Sequence, residues 1–208
     1  MDGVFMTKFV KGLTCLVLLA AVFYLITVVS DRRELHESVI RLHVVADSDS
    51  AADQAVKLKV RDAVLTAMEE VLTGEEDKDQ AETALRSSLT ALEEVANRTL
   101  EEEGVSDRAM VTLLEEEFPT REYDTFSLPA GVYDSLRVTI GSGSGQNWWC
   151  VVFPGLCVPA AVEEVEDVAV SAGFSNSLSG SITGQPQYQV RFFLLDWLGR
   201  VENFFHKS

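Results

Sequence analysis

From Leu13 to Val29 the chain is apolar almost without interruption (Leu13, Leu16, Val17, Leu18, Leu19, Val22, Phe23, Leu25, Ile26, Val28, Val29). A run of this kind is removed, buried in a core, or placed in a lipid bilayer. Lys8 and Lys11 precede it and Asp31, Arg32 and Arg33 follow at once. Cations before an apolar core are the charge layout of a secretory signal. The run is at the short end of what crosses a bilayer as a helix, about 17–25 residues. Val28 and Ser30 are small enough for cleavage after Ser30, although Ala-x-Ala is absent. Arg32 and Arg33 weaken the cationic bias that would hold the N-terminus in the cytosol. A cleaved signal peptide and an uncleaved anchor both fit, and a buried helix of a soluble core fits less well. The first two leave residues 1–30 as a segment apart and 31–208 as one domain outside the cytosol.

Without Lys8, Lys11 and Asp2, the remaining 178 residues carry 15 basic against 32 acidic side chains, a net charge of −17. That length is enough for one well-packed domain. So acidic a surface argues against nucleic acid and against anionic headgroups as partners, which leaves residues 13–29 as the membrane contact, if uncleaved. The glutamate runs 101–103 and 115–117 read as solvated faces. Of three cysteines, Cys15 lies in the apolar run without a lipobox before it, whereas Cys150 and Cys157 fall in the exported part. An even pair in an oxidising compartment reads as one disulfide, worth about 2–3 kcal/mol for so short a loop, with two buried thiols as the alternative.

Period-2 alternation over Ser38–Ala46 predicts a strand, with Val39, Arg41, His43 and Val45 on one face and Ile40, Leu42 and Val44 on the other. Ser50 and Asp53 resemble a capping box, opening a helix to about Thr73. A second helix runs from about Asp79 to Glu103 behind Leu85, Leu89, Leu92, Val95, Ala96 and Leu100, and Gly104 closes it. Strands are predicted at Arg108–Glu116, Ser135–Ile140 and Asn147–Phe153, the last two joined as a hairpin through Gly-Ser-Gly-Ser-Gly. Ala160–Ala172 suggests a short helix and Ser171–Pro186 a Ser/Gly-rich loop. Val190–Val201 has helical spacing, though its first half also reads as a strand. The fold class is α+β: an antiparallel sheet with two long helices packed on it, plus the N-terminal signal or anchor segment.

Two stretches could carry function. In the first, on a wheel of about 100° per residue, Lys57 and Arg61 fall inside the apolar arc of Val56, Val60, Val64 and Met68, and Lys59 falls opposite. Their stems either snorkel at the core edge or pair with carboxylates such as Asp47 and Asp49. Failing that, they meet an acidic partner. His43 near Asp47, Asp49 and Asp53 has the side chains of a hard-cation or acid–base site, but the spacing is not that of an EF-hand. In the second, Trp148 and Trp149 point to opposite faces of their strand. An exposed one would be a protein-binding anchor or a platform for a wall sugar. The glycine loop has no helix or lysine after it for holding phosphate. No nucleophile motif is present, and nothing requires a metal or cofactor.

IRLHVVADSDSAADQAVKLKVRDAV, LPAGVYDSLRVTIG and GQNWWCVVFPGLC closely resemble the stage II sporulation protein R family of endospore-forming bacteria, in order and spacing from about Val39 to Cys157. The pattern departs at Asp47, where the family has Asn. The resemblance implies a protein exported from the forespore into the space between the two membranes. There it triggers a membrane-embedded aspartic protease, which processes a sigma-factor precursor. It would be a ligand with no catalytic residues to assign. Motif position and the helix wheel nominate Arg41, His43, Asp47, Asp49, Lys57, Arg61, Arg137, Asn147, Trp148 and Trp149 as its partner surface. The competing readings are a wall-acting hydrolase and a peptidoglycan-binding module in the same compartment.

Overall fold

The computed structural model describes residues 2–123, 125–155 and 174–206. Helix α1 (Asp2–Ser38) leads into strand β1 (Ile40–Val45), followed by α2 (Ala51–Leu72) and α3 (Lys78–Glu102). Then come β2 (Ala109–Phe118), the short pair β3 (Arg121–Glu122) and β4 (Ser127–Leu128), β5 (Gly131–Ile140) and β6 (Asn147–Phe153). Helix α4 (Asn176–Ile182), a 3-10 turn (Pro186–Tyr188) and α5 (Gln189–His206) complete the described chain. The expected helix at Ala160–Ala172 lies outside the described residues.

The four main strands lie in the order β2-β5-β1-β6. β2 with β5 and β1 with β6 are antiparallel, whereas β1 and β5 are parallel, so the α+β sheet is mixed. This corrects the expected hairpin. β5 and β6 do not pair, because β1 lies between them and the glycine loop crosses over its end. β1 is buried along its whole length, as a central strand covered on both faces must be.

The two faces of β1 enter different cores, as its alternation predicted. Ile40, Leu42 and Val44 pack with Val60, Val64 and Met68 of α2 and with Leu85, Leu92, Ala96 and Leu100 of α3. The other face is covered as well: Val39, Phe118, Tyr133 and Val151 pack against Val28 and Leu35 of α1, Leu178 and Ile182 of α4, and Leu195 of α5. The molecule is therefore a three-layered structure rather than a sheet with one covered face. Where α5 crosses the sheet, a Cβ on Gly199 would stand 1.6 Å from the carbonyl oxygen of Ala130, so only glycine permits that approach.

Local signals set most helix ends. The Ser50 side chain accepts from Asp53 N at 3.0 Å, and Asp77 accepts from Gln80 N at 2.9 Å, starting α3 one residue before the expected Asp79. After α3, Val105 N donates to Leu100 O as Gly104 turns the chain at φ +72°. Side chains of α3 also cover the open edge of β2: Asn97 exchanges hydrogen bonds with Ala109 N and O, and Glu93 accepts from Val111 N. Helix α4 stands where a loop was expected. Its Ser/Gly-rich sequence has little intrinsic helicity, and the helix is held by burial of Leu178 and Ile182.

Candidate functional site

The sheet register places Thr112, Arg137, His43 and Trp149 in one cross-strand row on the face that carries α1, α4 and α5. His43 Nδ1 lies 3.2 Å from both carboxylate oxygens of Glu116, and Nε2 lies 2.9 Å from Asn147 Oδ1. The doubly protonated ring satisfies both oxygen partners; a neutral ring does so only with the Asn147 amide reversed. Arg137 Nη1 closes the group on Glu116 at 2.7 Å. Burial alone would raise the Glu116 pKa, but the hydrogen bond from His43 and the charges of His43 and Arg137 hold it below the usual range.

The next row contains Arg41, whose guanidinium is fully buried. It lies 4.0 Å from the Phe118 ring centroid and 5.2 Å from that of Tyr133, and its Nη2 donates to Tyr123 Oη at 2.8 Å. Its Nε and Nη1 have no hydrogen-bond partner. Arg121 lies 3.7 Å over Trp149, and its Nε is buried and unpaired too. Burial holds the Arg121 pKa down; Tyr123 opposes this and the charge of Arg41 adds to it. Burial likewise raises the Tyr133 hydroxyl well above its usual range, against the charge of Arg41. Two cations thus share one aromatic frame with hydrogen-bond donors unspent. In a low-dielectric setting that arrangement is suited to an anionic group.

The other nominated residues fall elsewhere. Trp148 faces the opposite core and carries Arg61 at 4.9 Å from its ring centroid, a cation–π contact. Lys57 is buried, and its Nζ donates to Gln54 Oε1 at 2.6 Å and Gln146 O at 2.9 Å. The expected pairing of Lys57 and Arg61 with Asp47 or Asp49 is replaced by these contacts and by Arg61 on Asp62. Burial and the charge of Arg61 lower the Lys57 pKa, with Asp49 opposing. Asp49 lies in the exposed turn before α2, where the Asp53 carboxylate accepts from Ser48 Oγ and Asp53 N donates to Ser50 Oγ. His43 therefore meets Glu116 rather than those aspartates. Among the described residues no group of three or more His, Cys, Asp or Glu is placed to hold a metal ion.

Asp47 anchors the glycine loop. Its Oδ1 accepts from Ser142 N at 2.6 Å and its main-chain oxygen from Ser144 N at 3.1 Å, while Ala46 O accepts from Gly145 N at 2.9 Å. A Cβ on Gly145 would stand 2.3 Å from Ser48 O, and Gly141 turns at φ +55°. The side chain of Asp47 needs only an acceptor oxygen here, which an asparagine amide would also supply.

Glu116, Arg121 and Tyr123 were not legible as site residues. Glu116 stood in a run read as solvated, yet its side chain is 10% exposed. Its even-numbered place on β2, on the face of Phe118, was the available signal. Cys150 is buried on β6; its expected partner Cys157 lies outside the described residues.

The described residues define an α+β protein with an apolar helix long enough to cross a membrane and a charged, aromatic-framed cluster that spans the sheet from Glu116 on β2 to Trp149 on β6. The chain belongs to the stage II sporulation protein R family, whose model matches residues 36–163 and so includes the whole cluster. It is 33% identical over 183 residues to the stage II sporulation protein R of Bacillus subtilis (strain 168), covering 78% of this chain and 80% of the relative. No solved structure matches.

Proposed function

We propose that this protein is an extracytoplasmic sporulation signal that activates a membrane-embedded aspartic protease, leading to processing of a sigma-factor precursor. It acts as a ligand rather than a catalyst. The observation that carries this reading is membership of the family over residues 36–163, the region that holds the charged cluster of His43, Glu116, Arg137 and the half-buried Arg121. The cluster also joins strands distant in sequence, so binding at one residue would be felt across the sheet. To activate, the ligand must bind the active protease state more tightly than the inactive one. The hydrolase reading places its chemistry on His43, Asp47 and Asp49, which this fold separates. The wall-binding reading requires an open tryptophan face, and both Trp148 and Trp149 hold an arginine over the ring.

The test is co-expression of the full chain with the candidate protease and its precursor in a non-sporulating host, followed by an assay of precursor cleavage. Cleavage that depends on this chain and is lost in Arg121→Ala supports the proposal. Absence of cleavage with the folded chain present outside the cytosol would overturn it and return the hydrolase and wall-binding readings to consideration.

A further inference from the structure

Residues 6–26 of α1 are exposed on every side, whereas Thr27 is half-buried and Val28 is wholly within the second core. The freely exposed part is 21 residues, ~31 Å at 1.5 Å per residue; its charge-free stretch after Lys11 is ~22 Å, so a hydrocarbon core of about 30 Å also takes in the snorkelling stems of Lys11 and Lys8. The most apolar window of α1 has a mean hydropathy of 2.6 and is 6% buried. The last turn of the apolar run is already occupied by the domain. Arg191 Nη2 donates to Thr27 O at 3.3 Å, and its Nε pairs with the buried Asp31. Arg32 pairs with Glu202 and donates to Leu195 O at 3.4 Å. Cutting after Ser30 would break one continuous helix between Val28 and Asp31, both buried in the same domain.

We infer that α1 is a retained membrane anchor continuous with the domain, and that the start of α5 rests on the bilayer that holds it. Val190 and Phe193 are 67% and 66% exposed, and they flank Arg191, which is tied to the level of Thr27. Tyr24 and Tyr188 lie within electrostatic reach of the same arginine. Aromatic rings and an arginine around the end of a span are the residues that settle at a membrane–water interface. The pairing with Glu202 also takes up the charge of Arg32, one of the two cations that opposed a cytosolic N-terminus. The occupant is lipid because the apolar patch is continuous with the exposed span itself.

Two measurements decide it. Mass spectrometry of protein extracted from expressing membranes should give the intact 22.9 kDa chain; a product beginning at Asp31 overturns the anchor. The full chain, with Cys15→Ala, is then reconstituted in phosphatidylethanolamine/phosphatidylglycerol nanodiscs and labelled with an environment-sensitive dye at Phe193→Cys or Ser106→Cys. Nitroxide lipid should quench the label at 193 at least threefold more than at 106, which lies toward the opposite end of the sheet. Equal, weak quenching at both positions overturns the bilayer contact and would mean that Phe193 faces water or a protein. Val190→Cys, labelled in the same way, repeats the reading should Phe193→Cys misfold.

Discussion

A guanidinium buried without a carboxylate, as Arg41 is, is seldom retained for stability, because its desolvation cost is only partly offset by aromatic faces and one hydroxyl. Arg41→Met in the full chain should therefore leave the urea midpoint unchanged or raise it, while precursor cleavage falls at least tenfold. Lost stability with intact cleavage would make Arg41 a packing residue. Glu116 gives a prediction in pH. Its folded pKa is lowered, so its contribution to stability is present above the unfolded value of about 4.3. That contribution disappears as pH falls through the folded value. Urea midpoints of the native chain should drop below about pH 4.5, and Glu116→Gln should flatten that part of the profile. The alternation of β1 put Arg41 and His43 on one face correctly. Their partners are distant in sequence (Glu116 lies 73 residues from His43), and no local pattern pairs them.

At the scale of elements, the glycine loop closes over the β1–α2 turn. Gly145→Ala sets a Cβ against a main-chain oxygen, a clash that no side-chain rotation relieves. It should cost about 2–3 kcal/mol, read as a lowered urea midpoint. Asp47→Asn should be close to neutral, since the acceptor remains, and Asp47→Ala should cost about 1–2 kcal/mol. On β6, the proposed Cys150–Cys157 bond predicts that alkylation of the unfolded chain reaches only Cys15 until a reductant is added. Helices α2 and α3 were legible because capping residues and apolar stripes are local signals. Hairpin pairing was not, because two strands flanking a short loop pair only if no third strand enters between them. Helix α4 was invisible for a related reason: its stability comes from the layer it packs under and not from its own composition.

For the whole molecule, the sequence carried the apolar segment, the α+β class and the acidic balance. It left the fate of residues 1–30 open because hydropathy alone does not show that Val28 belongs to a core. The structure joins the span and the domain through one helix, Asp2–Ser38, with no linker between them. A retained α1 gives the domain no slack. A fold of 178 residues measures roughly 40 Å across by size scaling, and that height is its full reach from its own bilayer. Delivery across the gap between two membranes would then be a question of separation as much as affinity. On the proposed function, the message would pass only where the opposing surfaces come within one domain's height of each other.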